Sequence, residues 1–150
     1  MDKTFLVEQL SARVRAQAQT SLRAASDAHT EAKTGAARAV NLARGTLART
    51  ESAQAALDAL DAFRVRAFRR GEALGLGAVV ELEDGDAGRT LFLAPVGAGE
   101  ELSGPGGDGV FQVVTPVSPI GRAVMGRKVG DVVEVMVKGE LSEWTITWAA

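Results

Sequence analysis

Glycine and proline lie almost entirely in the second half of the chain. Only 2 of the 17 glycines precede residue 71, and all 4 prolines follow it. Because these two residues are the least favourable inside helices, the first half can form long uninterrupted helices, whereas the second half must contain many turns. The sequence therefore predicts two different modules, with the boundary between Gly71 and Gly77.

Charge divides at the same place. Residues 1–70 contain 12 Lys/Arg and 7 Asp/Glu, a net of +5, whereas residues 71–150 contain 5 and 12, a net of −7. The acidic second module favours contact with a basic surface. The chain has no cysteine and one histidine, which excludes disulfides, thiolate metal sites and His-based metal sites. No apolar run approaches the roughly 20 residues of a membrane span and no secretory signal is recognisable, so we expect a cytoplasmic protein without membrane contact.

The first module, residues 1–72, is predicted to be an antiparallel coiled-coil hairpin. Two stretches, about 4–27 and 36–69, carry apolar residues at helical spacing. These residues are Leu6, Leu10, Val14, Ala18 and Leu22 in the first stretch and Val40, Ala43, Leu47, Leu57 and Leu60 in the second. Polar residues and Gly35 place the tip near 27–35. A turn at Asn41–Gly45 is a competing interpretation.

The base of this hairpin is expected to dock through the apolar residues that end the second stretch, which are Phe63, Val65 and Phe68.

The second module, residues 77–150, is predicted to be a small antiparallel sheet. Alternation of apolar and polar residues predicts strands at 78–82, 90–94, 110–115, 133–137 and 143–148, with a tight turn at Asp84-Gly85-Asp86. The glycine-rich segment 97–109 is expected to be a loop. Trp144, Ile146 and Trp148 are expected on one face of the last strand.

A short helix is predicted within the segment 117–135. Ser118 can cap it, Pro119 suits its first position, and Gly126 suits a left-handed ending. Its candidate core residues are Ile120, Val124 and Met125, and Gly130-Asp131 predicts the turn into the next strand. Strands around one helix predict an α+β fold like that of FKBP-like domains.

The order Ser118-Pro119-Ile120-Gly121, then Gly126, then Gly130-Asp131 resembles the Ser-Pro-Leu-Gly-x-Ala-Leu-Leu-Gly…Gly-Asp-x-Val segment of the GreA/GreB family of bacterial transcription elongation factors. Agreement is strongest from Phe111 to Val137, and the hairpin matches mainly in shape. The resemblance implies a globular module that docks on RNA polymerase near its secondary channel and a hairpin that enters the channel.

In that family, acidic residues at the tip help the polymerase hold a catalytic Mg²⁺ and position a water, so that backtracked RNA is cleaved. The resemblance therefore implies an accessory factor, not an enzyme, with no cofactor and no metal held by this chain alone. We expect a monomer whose partners are RNA polymerase and the nascent RNA in the channel.

The tip carboxylates are the candidate functional residues. Mg²⁺ prefers oxygen ligands, so Glu31 is the first candidate for the metal-assisting role and Asp27 the second. The family's tip reads Asp-x-x-Glu-Asn-x-Glu-Tyr, whereas the acids here are four apart with His29 between them. The same acids could instead cap a helix or be solvated, and His29 is expected to be a polar tip residue.

Basic residues flank the tip and could either be solvated or neutralise phosphates in a channel. They are Arg23, Lys33, Arg38, Arg44 and Arg49.

Two other functions of the chain stay open. The chain could occupy the channel without promoting cleavage, as a regulator or inhibitor of the polymerase. It could also be an FKBP-like peptidyl-prolyl isomerase with a helical appendage.

Overall fold

The computed structural model describes residues 2–32 and 37–150, and for residues 25–32, 37–46, Pro105 and Val137 it describes the backbone alone. The elements are α1 (Thr4–Ala32), α2 (Ala37–Ala62), β1 (Val79–Asp84), β2 (Ala87–Leu93), β3 (Glu101–Ser103), a short 3₁₀ turn (Pro105–Gly107), β4 (Val110–Val114), α3 (Pro119–Val124), β5 (Val132–Val137) and β6 (Glu140–Ala149). Helices and one sheet confirm the α+β class.

Two compact units divide the chain. The globular unit combines the beginning of the chain through Leu10 with Phe63–Ala150, and the helical unit is Ser11–Ala62. The predicted limits, 1–72 and 77–150, differ from these units in the placement of the first ten residues and of residues 63–72. Among the described residues, neither long helix contains an apolar stretch sufficient to cross a membrane.

The sheet of the globular unit has the strand order β3-β4-β2-β1-β6-β5. All neighbours are antiparallel except β2 and β4, which run parallel. The predicted all-antiparallel sheet is wrong at this pair, and the predicted loop 97–109 is wrong where it contains β3. Parallel neighbours need a crossover, and residues 94–109 supply it by forming β3 on the far side of β4 before the chain returns.

The main apolar core lies on the face of the sheet that carries α3. Val124 of α3 is completely buried there, and Ile120 and Met125 pack against the same cluster, as predicted. On the other face, two phenylalanines from outside the sheet pack against phenylalanines of the strands. Phe5 contacts Phe111 edge-on, with 6.1 Å between the ring centroids, and Phe63 contacts Phe92 at 6.2 Å.

The end of β6 departs from strict alternation. Trp144 and Ile146 are buried, whereas Trp148 is 41% exposed. Between Leu82, which pairs with Ile146, and Glu81, which pairs with Trp148, the register shifts by one residue. This bulge moves Trp148 off the face of Trp144 and Ile146, so the prediction of three residues on one face is wrong for Trp148.

The predicted second helix is also wrong beyond Ala62, where α2 ends. Phe63 packs on Phe92, whereas Phe68 belongs to the core on the α3 face. An extended chain covers up to about 17 Å over five residues, more than twice the reach of a helix. The non-helical segment therefore lets the two phenylalanines reach different faces of the sheet.

Candidate functional site

The two helices of the helical unit lie side by side along a seam of small residues. Val14 and Ala18 of α1 are buried, at 6% and 2% exposure. A depression of about 260 Å³ separates the helices, and residues of both helices line it: Val14, Gln17, Ala18, Ser21, Arg49, Ser52, Ala53 and Ala56. Small side chains bury little apolar area, so the seam is weakly stabilised by the hydrophobic effect.

Two predicted seam residues lie outside this seam. Leu22 is 46% exposed and Leu47 is 56% exposed. Residues four apart on an α-helix are displaced by about 40° around its axis, so a strict four-residue spacing from Leu6 to Leu22 turns through about 160°. The stripe of α1 therefore spirals away from its starting face, which explains the exposure of Leu22. The predicted seam is also wrong at Leu47.

The backbone of α1 remains helical through Ala32, and α2 begins at Ala37. The tip predicted near 27–35 is therefore wrong for residues 27–32, which are helical. This stretch contains alanine and no glycine or proline, which favours continuation of the helix. The competing turn at Asn41–Gly45 is wrong as well, because those residues lie inside α2.

Asp27 and Glu31 therefore lie on the last turns of α1. Residues four apart share a helix face and are separated by about 6 Å along the axis, and His29 lies at a position on the opposite side. Their metal-assisting role stays a prediction, because these positions are described by their backbone alone.

The flanking basic residues are distributed along the helical unit. Arg23 and Arg49 are exposed, and Arg49 also lines the depression between the helices. Arg38 and Arg44 lie in α2. Lys33 lies outside the described residues.

In the globular unit, the beginning of α3 is fixed by a local network, as predicted. Ser118 is extended, and its hydroxyl accepts hydrogen bonds from the Gly121 amide at 3.3 Å and the Thr115 amide at 3.1 Å. The same hydroxyl donates to the Thr115 carbonyl at 2.8 Å. A Cβ on Gly121 would lie 1.9 Å from the Thr115 carbonyl oxygen, so only glycine fits the fourth position of Ser-Pro-Ile-Gly.

The end of α3 and the following turn also match the prediction. Gly126 and Gly130 have φ values of +78° and +98°, the left-handed region that favours glycine. Asp131 accepts a hydrogen bond from the Lys128 amide at 2.9 Å, which closes the turn. The Gly126 amide donates to the Leu74 carbonyl at 2.8 Å, which ties this turn to the segment before β1.

A depression of about 320 Å³ borders the beginning of α3. Its lining residues come from α3, β5 and the strands opposite: Arg89, Ala98, Gly99, Gln112, Val113, Val114, Ser118, Pro119, Ile120, Met136 and Lys138. The basic residues of this depression were not predicted as functional from the sequence. The signal that could have found them is the rarity of cations in this half of the chain, since Arg89 and Lys138 are 2 of its 5.

These features define a protein built from two long paired helices and a small α+β module. Among the described residues, no group of three or more His, Cys, Asp or Glu could hold a metal ion. The family model described as "Transcription elongation factor, GreA/GreB, C-term" matches residues 70–149. The chain belongs to the GreA/GreB family of transcription elongation factors.

Similar proteins carry related descriptions. Two proteins named "Transcription inhibitor protein Gfh1", from Thermus aquaticus and Thermus thermophilus, are each 39% identical to this chain over 67 residues. These residues are 43% of this chain and 39% of each relative, so the chain aligns with about two fifths of the length of the curated relatives it matches.

Solved structures are similar over longer stretches at lower identity. Gfh1 of Thermus thermophilus is 21% identical with a TM-score of 0.39, covering 96% of this chain and 92% of that one. Gfh1 of Thermus aquaticus is 21% identical with a TM-score of 0.40, covering 92% of each chain. A GreA/GreB factor from Nitrosomonas europaea is 14% identical with a TM-score of 0.39, covering 74% of this chain and 90% of that one.

Proposed function

We propose that this chain is an accessory factor of RNA polymerase that docks through its globular unit and inserts its helical hairpin into the secondary channel. The observation that carries the proposal is the family match over residues 70–149, in a chain that also has two helices of 29 and 26 residues. At about 1.5 Å per residue these helices are roughly 44 and 39 Å long, which suits insertion into a channel.

In the first mode of action, carboxylates near the hairpin end assist cleavage of backtracked RNA by the polymerase. Asp27 and Glu31 occupy the same face of the last turns of α1, so both can approach one site. Carboxylate oxygens suit Mg²⁺, which in the polymerase stabilises the oxygens that attack and leave during phosphoryl transfer. The polymerase supplies the metal and the chemistry, and this chain supplies one or two ligands.

In the second mode, the hairpin occupies the channel without promoting cleavage. Two observations favour this mode. The acids lie four residues apart on a helix, a pattern different from the Asp-x-x-Glu of the family's tip. The similar Thermus proteins are named transcription inhibitors. An isomerase function has no comparable support, since the described lining of the depression beside α3 contains no aromatic residue.

The test combines binding with RNA cleavage. We expect the chain to co-purify with bacterial RNA polymerase, and its effect on the rate of RNA cleavage in stalled, backtracked complexes then distinguishes the two modes. Absence of binding would overturn the proposal. Faster cleavage that is lost in Glu31→Gln and Asp27→Asn establishes the first mode, and unchanged or slower cleavage establishes the second. Glu51→Gln, an exposed acid on α2, is the matched control and should behave like the wild type.

A further inference from the structure

β5 is a long free edge of the sheet. It lies at one end of the strand order and pairs only with β6. Among the described residues, none of the main-chain hydrogen bonds outside the ladders involves Val132–Val137. An edge strand directs half of its N–H and C=O groups outward, where they can pair with another extended chain.

The opposite edge is protected. β3 has only three residues, and its Ser103 amide and carbonyl both bond to the side chain of Gln9. The side chain of Gln9 thus covers the β3 edge, whereas the β5 edge is open. Long open edges promote unwanted pairing with other chains, so an edge that stays open indicates a function for β5.

Two depressions lie along β5 and α3, one at each end of the strand. The first, described above, is lined by Pro119 and Ile120 of α3 and by Met136 of β5. The second, of about 490 Å³, is lined by Ala123 and Arg127 on the side of α3 and by Val132, Val133 and Glu134 of β5. Concave surface therefore borders both ends of β5.

The side chains at this edge are suited to protein contact. Val132 and Met136 are 56% and 58% exposed, at the two ends of β5. Each lines one of the two depressions. Large apolar side chains at a concave surface favour a partner that covers them.

The charge of this surface is opposite to that of the module around it. Residues 71–150 have a net charge of −7, yet three of their five cations line the two depressions. Arg89, Lys138 and Arg127 line the depressions, Arg122 is on α3, and Lys128 follows Arg127. Glu134 is the one acid among the lining residues of the two depressions. The surface is therefore complementary to an acidic segment.

We propose that the groove between α3 and the free edge of β5 binds an extended acidic segment of a partner protein, which adds to β5 as a further strand. Main-chain hydrogen bonds to β5 would supply affinity. Val132 and Met136 would contact apolar side chains of the segment, and Arg127 and Lys138 would contact its acids at the two ends. None of the described residues that line this site belongs to α1 or α2, so its test does not depend on the proposed entry of the hairpin into RNA polymerase.

The probe is a fluorescein-labelled peptide, Glu-Val-Thr-Val-Thr-Val-Glu, titrated with the full chain by fluorescence anisotropy. We expect saturable binding, together with slowed hydrogen exchange of amides in Val132–Val137. The peptide with both Glu replaced by Lys should bind at least about tenfold more weakly. No binding up to about 1 mM, or equal binding of the Lys peptide, would overturn the proposal.

Strand addition is tested by N-methylation of alternate peptide residues. Only every second N–H of an added strand faces β5, so methylation of one alternate set should abolish binding, and methylation of the other should not. If both methylated peptides bind like the parent, the segment does not add as a strand. If β5 amides become protected at higher protein concentration without peptide, the occupant is a second copy of this chain and the proposal fails.

Substitutions in the chain locate the peptide-binding site. Arg127→Glu should weaken binding about tenfold, because an attraction becomes a repulsion. Met136→Glu should also weaken binding, and both positions are exposed, so the fold should persist. Arg15→Glu, on the helical unit, is the charge-matched control. If Arg15→Glu weakened peptide binding and Arg127→Glu did not, the assignment of the binding site to this groove would be wrong. Since polymerase is absent from these assays, their failure would leave the co-purification result unaffected.

Discussion

The side-chain amide of Gln9 makes two hydrogen bonds to the main chain of Ser103. Its Nε2 donates to the Ser103 carbonyl at 2.7 Å, and its Oε1 accepts from the Ser103 amide at 3.1 Å. The amide thus occupies the position of a neighbouring strand and joins α1 to the edge of the sheet across 94 residues of sequence.

Replacing Gln9 should therefore destabilise the globular unit. We expect Gln9→Ala to lower the free energy of unfolding by about 1–2 kcal/mol, since two hydrogen bonds are lost at a partly exposed site. Gln9→Glu keeps the acceptor and loses the donor, so its loss should be smaller. Urea unfolding measures both, with Glu8→Ala, an exposed neighbour, as control. Equal midpoints for all variants would contradict this role.

Gly121→Ala should be severely destabilising. The added methyl group would lie 1.9 Å from the Thr115 carbonyl oxygen and 2.8 Å from Ser118 Oγ, so the capping network of α3 must move. We expect a loss of about 3 kcal/mol in the free energy of unfolding, measured by urea titration. Gly88→Ala is the control. Its new methyl group meets no described atom closer than 3.8 Å, so a comparable loss there would show that the steric argument is wrong.

Lys3 links the beginning of the chain to its last residues. It is 3% exposed, and its Nζ donates to the main-chain oxygens of Arg66 and of Ala150, the latter at 3.1 Å. Lys3→Met removes the donor from both acceptors, and we expect a loss of about 1–3 kcal/mol at neutral pH. Lys128→Met, at an exposed position, should cost little.

The same residue predicts a pH dependence. Burial lowers the pKa of the Lys3 amine, and the nearby Arg66 charge lowers it further. Between this lowered pKa and the ordinary value of about 10.4, the unfolded chain binds more protons than the folded one. The free energy of unfolding should therefore rise as pH increases through this window in the wild type, but not in Lys3→Met. If the free energy of unfolding of the wild type fell relative to that of Lys3→Met as pH increased through this window, a lowered pKa of Lys3 would be contradicted.

The two tryptophans should differ in both fluorescence and stability. Trp144 is 7% exposed, with the Arg89 guanidinium 5.3 Å from its ring, whereas Trp148 is 41% exposed. Acrylamide should quench Trp144→Phe, which retains Trp148, more strongly than Trp148→Phe. Trp144→Ala should cost about 3–5 kcal/mol, and Trp148→Ala clearly less. Equal quenching would mean that the bulge in β6 does not separate the two side chains.

Features set by a few neighbouring residues were predictable. Ser118 and Pro119 fixed the beginning of α3, and Gly85, Gly126 and Gly130 marked turns, because caps and left-handed glycines depend on local backbone energies. The candidate carboxylates Asp27 and Glu31 came from the family resemblance. Their place on a helix instead of a turn was missed, although the alanine content around them favours a helix.

Features that depend on distant partners were not predictable in the same way. The parallel pairing of β2 with β4, the formation of β3 and the exposure of Trp148 all arise from strand register between separated segments. The end of α2 at Ala62 likewise depends on where Phe63 and Phe68 are buried. Local propensity is worth a few tenths of a kcal/mol per residue, whereas burying one such aromatic side chain is worth about 1.5–3 kcal/mol.

By itself, the sequence determined that this protein has a helical module and an α+β module, since glycine, proline and charge divide between them. Only the tertiary structure decided which residues line the depressions beside α3. Arg89, Arg127 and Lys138 are scattered over 50 positions of the chain, and no local signal joins them. They line two depressions that both border α3 and β5, because α3 packs beside β5, an arrangement set by burial of Val124 and its neighbours in the core.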